Sequence, residues 1–323
     1  MSFSSLSRYV GGALAAVWAM TASGAGEAPG VARRDFSVVA LPDTQWYSEK
    51  FPATFPAQTA WIVSNRAPQN IVFVTHLGDL VQTAINPVEW ECADRAMSIL
   101  DGQVTYSVCR GNHDVGTADY PRYFGGARYA HMAGYLGCSS NSANHAQTFR
   151  GGGYEFLHIA VDYGATGEAL PWAQAVLRAH PGWPTIVSTH DYMGLGGKTP
   201  NGWAIWESLI RRNPQIFVVL NGHVHGEYRQ VATNDAGRAV LQMLSDYQDG
   251  PNGGDGYLRI LRFNVASNRL DVRTYSPVLN AYSTNASSRF SYSMLFGSNI
   301  VVGGSIEAPT EAAPVTSADP ARE

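Results

Sequence analysis

Five apolar segments of this chain each end directly before a short run of polar residues. The segments cover residues 36–41, 71–75, 104–108, 185–189 and 216–220. Their length and β-branched composition predict buried strands. Helical patterns between the strands predict a sheet-rich α/β domain. Ligands of such sheets bind outside the carboxyl ends of the strands, so the five polar runs are expected to share one site.

The five polar runs carry side chains that bind divalent metals. In chain order they are Asp43-Thr44-Gln45, Gly78-Asp79, Arg110-Gly111-Asn112-His113-Asp114, His190 and Gly222-His223-Val224-His225. Any one of them alone fits an ordinary turn, an N-cap or a core histidine. Together they supply carboxylate, amide and imidazole ligands, which suit Zn, Fe or Mn. The predicted metal ligands are Asp43, Asp79, Asn112, His190, His223 and His225.

The spacing of the last run indicates how one turn serves two metal ions. In an extended segment, residues i and i+2 point the same way, so His223 and His225 can both face the site. No cysteine accompanies the predicted ligands, which argues against a structural zinc cage. We therefore predict a site for two divalent ions.

The rest of the chain alternates between helical and strand patterns. A helix is predicted from Asn86, its N-cap, with Pro87 at the first helical position and Glu89 completing a capping box. Residues 115–152 lack a clean period and are predicted to form a long ordered loop. The remaining predicted helices cover 57–66, 170–179 and 203–212, and the remaining strands 154–162, 228–233, 239–244, 257–264 and 270–275. The last four strands alternate and are expected to form antiparallel hairpins.

Composition limits the class of protein. The chain has 323 residues, of which 45% are hydrophobic and 15% charged, with a net charge of −4. This balance argues against a nucleic-acid binder, which normally carries a basic stripe. We expect no stable nucleic-acid complex.

The N-terminus predicts a secretory signal peptide over residues 1–25, with Arg8 before an apolar run. A buried helix and a retained anchor are the alternatives. A linker at 26–35, one domain at 36–302 and a disordered tail at 303–323 are expected to follow. The protein should then be secreted or periplasmic, without a membrane span after removal of the signal.

The three cysteines lack metal-ligand spacing. Cys109 lies in a predicted strand and is expected to be a buried free thiol. Cys92–Cys138 is then the preferred bridge in an oxidising compartment, although the sequence does not decide the pairing.

The five runs together resemble the signature of the calcineurin-like metallophosphoesterases. That signature is Asp-x-His, Gly-Asp, Gly-Asn-His-Asp/Glu, a lone His and Gly-His-x-His. The resemblance extends over about 36–275. It implies a four-layer α/β/β/α sandwich of two mixed sheets flanked by helices, with a dinuclear metal site at the sheet edge.

The resemblance also implies roles for the individual residues. Asp43 and His225 would bind the first metal ion, Asp79 would bridge, and Asn112, His190 and His223 would bind the second. His113 would act as the acid beside the leaving group, oriented by Asp114. Arg110 and Asn112 would contact the substrate phosphate, with an ordinary ion pair as the alternative for Arg110.

Gln45 departs from the signature, since the family usually has histidine at this position. An amide oxygen is a weaker and harder ligand than imidazole, so the first metal ion should be bound more loosely or be a harder ion. The alternative is that Gln45 only supports the ligands through hydrogen bonds.

These features predict a metal-dependent phosphoesterase. A bridging hydroxide, formed because two metal ions lower the pKa of water, would attack the phosphorus of a monoester or diester. The substrate would be a phosphorylated small molecule or macromolecule. The alternative function is a catalytically inactive secreted module that retains the fold for metal binding or interaction.

Overall fold

The computed structural model describes residues 34–164, 167–297 and 300–307. The predicted signal peptide, most of the predicted linker and the predicted tail after 307 lie outside these residues. None of the helices in the described ranges is long and apolar enough to cross a membrane.

In the described part of the chain, seventeen strands form two large sheets and one short hairpin. They are β1 (Phe36–Leu41), β2 (Ile71–His76), β3 (Thr105–Val108), β4 (Tyr135–Cys138), β5 (His145–Gly151), β6 (Tyr154–Val161), β7 (Thr185–Thr189), β8 (Met193–Gly194), β9 (Gly197–Lys198), β10 (Ile216–Asn221), β11 (Gly226–Thr233), β12 (Ala239–Asp246), β13 (Leu258–Asn264), β14 (Arg269–Ser276), β15 (Ala281–Tyr282), β16 (Arg289–Phe296) and β17 (Ile300–Glu307).

The α-helices of the described residues lie mainly between the strands of the first two-thirds of the chain. They are α1 (Gln45–Glu49), α2 (Thr54–Asn65), α3 (Pro87–Ser98), α4 (Asp119–Phe124), α5 (Gly126–Tyr129), α6 (Ala169–Ala179) and α7 (Pro200–Ile205). A π-helical turn, Trp206–Ile210, extends α7. Asn86 caps α3 as predicted, because its side chain accepts a hydrogen bond from the Val88 amide.

The two large sheets are both mixed. The first has the order β17-β16-β14-β13-β1-β2-β3, with β15 paired to β14, and its β1, β2 and β3 are parallel. The second has the order β11-β12-β10-β7-β6-β5-β4, and its β6, β7, β10 and β12 are parallel. The carboxyl ends of both parallel sets carry the polar runs that the sequence singled out.

Strand periodicity produces the layers. In β1, Val38 and Ala40 belong to the core between the sheets, whereas Val39 belongs to the core under the first helical layer. In β10, Val218 faces the inter-sheet core and Val219 faces the second helical layer. Because successive side chains of a strand alternate, each central strand contributes to two cores. The predicted four-layer α/β/β/α sandwich is confirmed.

Three details differ from the sequence predictions. The segment 115–152 contains α4, α5, β4 and β5, because buried aromatic residues such as Tyr120, Phe124 and Tyr129 anchor it to the first helical core. The predicted run of hairpins is divided between the sheets, since β11 and β12 join the second sheet and β13 and β14 the first. The final strand reaches Glu307, past the predicted start of the tail at 303.

The cysteine prediction is partly wrong. Cys109 is a buried free thiol, as expected, but Cys92 and Cys138 are also free. Cys92 lies buried in α3, whereas Cys138 ends β4 and makes its contact with the Ser142 hydroxyl. The proposed Cys92–Cys138 bridge is therefore absent.

Candidate metal centre

The predicted ligands converge where the carboxyl ends of the parallel strands of the two sheets meet. Asp43 and Asp79 follow strands of the first sheet, whereas His190 and His223 follow strands of the second. Hydrogen bonds connect the sheets at this point, since the His223 amide donates to Asp43 Oδ2 over 3.2 Å. The His190 ring is likewise held by the Leu77 carbonyl, 2.9 Å from its Nδ1.

Asp79, His190 and His223 form a compact group whose ligand atoms all lie within 4.8 Å of one another. His190 Nε2 lies 3.2 Å from Asp79 Oδ2 and 2.9 Å from Asn112 Oδ1. Tyr163, which the sequence did not single out, packs its ring against both histidines. One carboxylate, two imidazoles and an amide oxygen form a donor set suited to a divalent metal ion.

Close backbone approach explains why glycines precede the ligands. A Cβ atom on Gly111 would lie 2.1 Å from Asp79 Oδ1, and one on Gly222 would lie 2.1 Å from Asp43 Oδ1. Both distances are far below van der Waals contact. The glycines therefore allow the loops to pack directly against the carboxylates that they surround.

The charges at this edge favour a bound cation. Burial alone would lower the pKa of His190, but the carboxylates of Asp79 and Asp43 raise that pKa to about 10. His190 is fully buried, and the two carboxylates stabilise the protonated form of its ring. Burial and the neighbouring His190 charge lower the pKa of His223, which favours the neutral imidazole that a metal requires.

Asp43 occupies the other half of the site. Its side chain is 2% exposed, and burial raises its pKa well above the ordinary value, with a further contribution from the charge of Asp246. Asp246 is the last residue of β12 and was not among the predicted site residues. The sequence contained a signal for it, a carboxylate two residues after the predicted strand 239–244, but that strand was predicted to form a separate hairpin.

The side-chain amide of Gln45 uses its nitrogen in a hydrogen bond, whereas its oxygen has no hydrogen-bond partner among the described residues. The nitrogen, Nε2, donates to Gln82 Oε1 over 3.2 Å, and the oxygen, Oε1, is buried. A buried acceptor without a donor is unfavourable in a folded protein unless a further group satisfies it. The orphaned oxygen fits the residue's predicted role as a metal ligand.

His225 lies apart from the compact group. Its side chain is 46% exposed, and its Nδ1 lies 2.6 Å from Asp249 Oδ2. This contact leaves Nε2 as the ring nitrogen for any metal ion. A carboxylate on the far nitrogen of a histidine is the usual partner of a metal-bound imidazole.

His113 is held by a backbone carbonyl and not by Asp114. Its Nδ1 lies 2.8 Å from the Gln82 carbonyl oxygen, and its amide donates to Asp79 Oδ1 over 2.9 Å. The fully buried Asp114 carboxylate instead accepts hydrogen bonds from the amides of Leu80, Val81 and Gly111. Asp114 therefore fixes the two loops that carry Asp79 and Asn112, which corrects its predicted role as the group orienting His113.

Arg110 makes the ion pair that was the alternative prediction. Its Nε and Nη2 donate to Asp162 Oδ1 and Oδ2 over 2.8 and 2.6 Å. This bidentate contact occupies the face of the guanidinium that was expected to grip phosphate.

A cleft of about 500 Å³ begins at His225 and Asp246. Tyr247 and Tyr257 contribute aromatic walls, and Asp249 lies at the His225 end. Space for part of a substrate is thus available next to the predicted first-metal residues.

Two comparisons show likeness in sequence. A family model for calcineurin-like phosphoesterases matches residues 36–227. The chain is also 37% identical over 266 residues to the uncharacterized protein YvnB of Bacillus subtilis (strain 168). That match covers 77% of this chain but only 21% of the length of YvnB.

The fold is shared with a solved phosphatase. Purple acid phosphatase PPD1 from seeds of yellow lupin (Lupinus luteus) aligns with a TM-score of 0.52 and 14% sequence identity. The alignment covers 82% of this chain and 54% of the lupin chain. At this identity the likeness concerns the fold. The family model, which matches more than half of the chain, shows that the chain belongs to the calcineurin-like phosphoesterase family.

Proposed function

We propose that this protein hydrolyses phosphate monoesters or diesters at a centre of two divalent metal ions. The observation that carries the proposal is the compact group of Asp79, His190 and His223, where residues that follow strands of both sheets bring their ligand atoms within 4.8 Å of one another. Membership of a phosphoesterase family supports the reaction class.

The chain provides a ligand set for both ions. Asp79 would bridge them, with Asn112, His190 and His223 on one side and Asp43, Gln45 and His225 on the other. When bound, the ions would lower the pKa of a water molecule to provide the nucleophile and would neutralise charge on the phosphoryl oxygens. Mn, Fe and Zn all accept these oxygen and nitrogen donors.

His113 is the proposed proton donor to the leaving oxygen. Its Nδ1 is engaged by the Gln82 carbonyl, so Nε2 is the atom that would carry the transferred proton. The hydrogen bond from its amide to Asp79 couples the position of this residue to the metal-binding carboxylate. Such positioned acids typically accelerate a reaction by about 10²–10⁴-fold.

The cleft next to His225 and Asp246 would accommodate the group esterified to phosphorus. A diester needs room for a second substituent, and a cleft of about 500 Å³ provides it. The bidentate pairing of Arg110 with Asp162 leaves this arginine engaged, which favours a singly charged diester over a doubly charged terminal phosphate.

The proposal is tested with purified protein, an aryl phosphate and the corresponding bis-aryl diester. We expect chelator-sensitive hydrolysis that returns when Mn²⁺, Fe²⁺ or Zn²⁺ is added, with the diester cleaved faster. If no added metal supports hydrolysis of either compound, the alternative of an inactive binding module that keeps the fold would be favoured.

A Gln45→His substitution should tighten metal binding, because imidazole is a stronger ligand than an amide oxygen. The dissociation constant of the more weakly bound ion, measured by calorimetric titration with Zn²⁺, should fall by at least about tenfold. An unchanged dissociation constant and an unchanged metal content would remove Gln45 from the site.

A further inference from the structure

Asp246 lies at the carboxyl end of β12 in the second sheet. The predicted metal ligands of this sheet follow the carboxyl ends of its other parallel strands. Strand β12 runs parallel to β10, with Leu244 opposite Asn221, so both strands end on the same side. Asp246 is also the direct cross-strand partner of Gly226, the residue after His225. The topology therefore places this carboxylate beside the Gly-His-Val-His turn.

The Asp246 carboxylate is buried without a cationic partner. Its side chain belongs to a residue that is 1% exposed, and it accepts hydrogen bonds over 3.0 Å from the amide and from Nε2 of Gln248. No lysine or arginine among residues 34–164, 167–297 and 300–307 forms an ion pair with it. Buried charges of this kind are normally paired or coordinated to a metal.

Asp43 is a second buried carboxylate beside the same turn. Its hydrogen bonds come from the amide of His223, three residues before Gly226, the cross-strand partner of Asp246. Two neighbouring buried carboxylates repel one another when both are charged, and a cation between them relieves that repulsion. A divalent ion would satisfy both.

Independent support comes from an uncharged side chain. Gln45 is 4% exposed, and its Oε1 has no hydrogen-bond partner among the described residues. Its place two residues after Asp43, at the start of α1, brings this unpaired oxygen to the same half of the site. An acceptor oxygen without a donor indicates a missing electropositive group.

His225 completes the surroundings. Its Nδ1 is paired with Asp249, which leaves Nε2 as the remaining donor atom. Asp246 and His225 line the same end of the cleft. The group thus offers three side chains with oxygen donors and one with nitrogen.

We propose that Asp246 is an additional ligand of the first metal ion, which it would bind together with Asp43, Gln45 and His225. This inference rests on the proposed function, because it concerns one of the two ions named there. An oxygen-rich ligand set prefers a hard divalent ion such as Mn²⁺. The carboxylate of Asp246 would compensate for the weak amide ligand at position 45.

The test measures Mn²⁺ binding and not activity. Wild-type protein, stripped of metal and titrated with Mn²⁺, should bind two ions per chain and show the spin-coupled electron paramagnetic resonance spectrum of neighbouring ions. Asp246→Asn should bind one ion tightly and show an uncoupled spectrum. The affinity for the second ion should fall by at least about tenfold.

Two matched variants separate a ligand from a structural carboxylate. Asp255→Asn removes a carboxylate of the same cleft, one that accepts a hydrogen bond from Asn252. This variant should keep two coupled ions. Gln248→Ala removes a hydrogen-bond partner of Asp246 but leaves its charge, and it should also keep both ions. Loss of an ion in Gln248→Ala would show that Asp246 acts only through the turn and would overturn the inference.

Folding of the variants is checked by near-ultraviolet circular dichroism. Asp246→Ala is the second variant if Asp246→Asn does not fold, because it removes the charge without placing an amide beside Gln248. Two coupled ions bound at wild-type affinity in either Asp246 variant would contradict the inference. Wild-type protein that binds Zn²⁺ or Fe²⁺ but no Mn²⁺ would contradict the inferred oxygen-rich site. Wild-type protein that binds none of Mn²⁺, Fe²⁺ and Zn²⁺ would instead contradict the proposed function itself, so the two failures are distinguishable.

Discussion

Replacing His113 by alanine should lower turnover of an alkyl phosphoester by about 10²–10⁴-fold and leave the metal content unchanged. The imidazole contacts the Gln82 carbonyl through Nδ1, and the contact with Asp79 comes from the backbone amide, which alanine retains. The substitution therefore removes the proposed proton donor without removing a metal ligand.

The leaving group distinguishes a proton donor from a residue that merely positions the substrate. An aryl alcohol departs as a stable anion and needs little protonation, whereas an alkyl alcohol needs a proton from the enzyme. The loss of turnover in His113→Ala should therefore be much smaller for an aryl ester than for an alkyl ester.

His131→Ala is the matched control, since His131 is an exposed histidine outside the site, and it should behave as wild type. An equal loss of turnover on both esters would contradict the role of His113 as the acid. Loss of metal from His113→Ala would show a ligand role instead.

Asp79→Asn should abolish hydrolysis, because it removes the negative charge of the carboxylate that would bind both metal ions. Asp79 is the carboxylate of the compact group with His190 and His223, and its Oδ1 also receives the His113 amide. Its φ of 52° lies in the left-handed region, which asparagine tolerates better than alanine. The variant should therefore fold but bind less than one ion per chain, measured by elemental analysis.

Asp235→Asn is the control for this variant. Asp235 is an exposed carboxylate paired with Arg211, so its removal should leave metal content and turnover at wild-type values. Two bound ions in Asp79→Asn would contradict a bridging role for Asp79.

The central part of the fold and the location of the site could be predicted from sequence because both follow from short-range patterns. Apolar runs such as 71–75 and 216–220 form the central strands. Since parallel strands end on the same side, residues directly after them had to lie at a common edge. His190 and Asp79 meet there although they are far apart in the chain.

Side-chain partners could not be predicted in the same way, because they depend on which loops face one another. Asp114 lies next to His113 in sequence, yet its carboxylate accepts hydrogen bonds from backbone amides of the loop after β2. Arg110 pairs with Asp162, which directly follows β6 and is separated from Arg110 by the segment 115–152. These pairings depend on which loops meet at the ends of the strands, within a sheet for Asp114 and between the sheets for Arg110, and no local pattern records that.

Asp246 was missed for a related reason. Residues 239–244 alternate as an antiparallel hairpin strand would, and β12 does form a hairpin with β11. It also pairs in parallel with β10, and only that second pairing brings its carboxyl end to the site. A strand with one antiparallel and one parallel neighbour has no distinctive sequence period.

The most direct measurement of the central claim is a titration of metal-free protein in which bound metal and diester hydrolysis are followed together. If two ions form the reactive centre, hydrolysis should be absent in the metal-free protein and reach its maximum at two bound ions per chain. Hydrolysis that persists in fully metal-free protein, or that is absent at full loading with Mn²⁺, Fe²⁺ and Zn²⁺ in turn, would contradict the account.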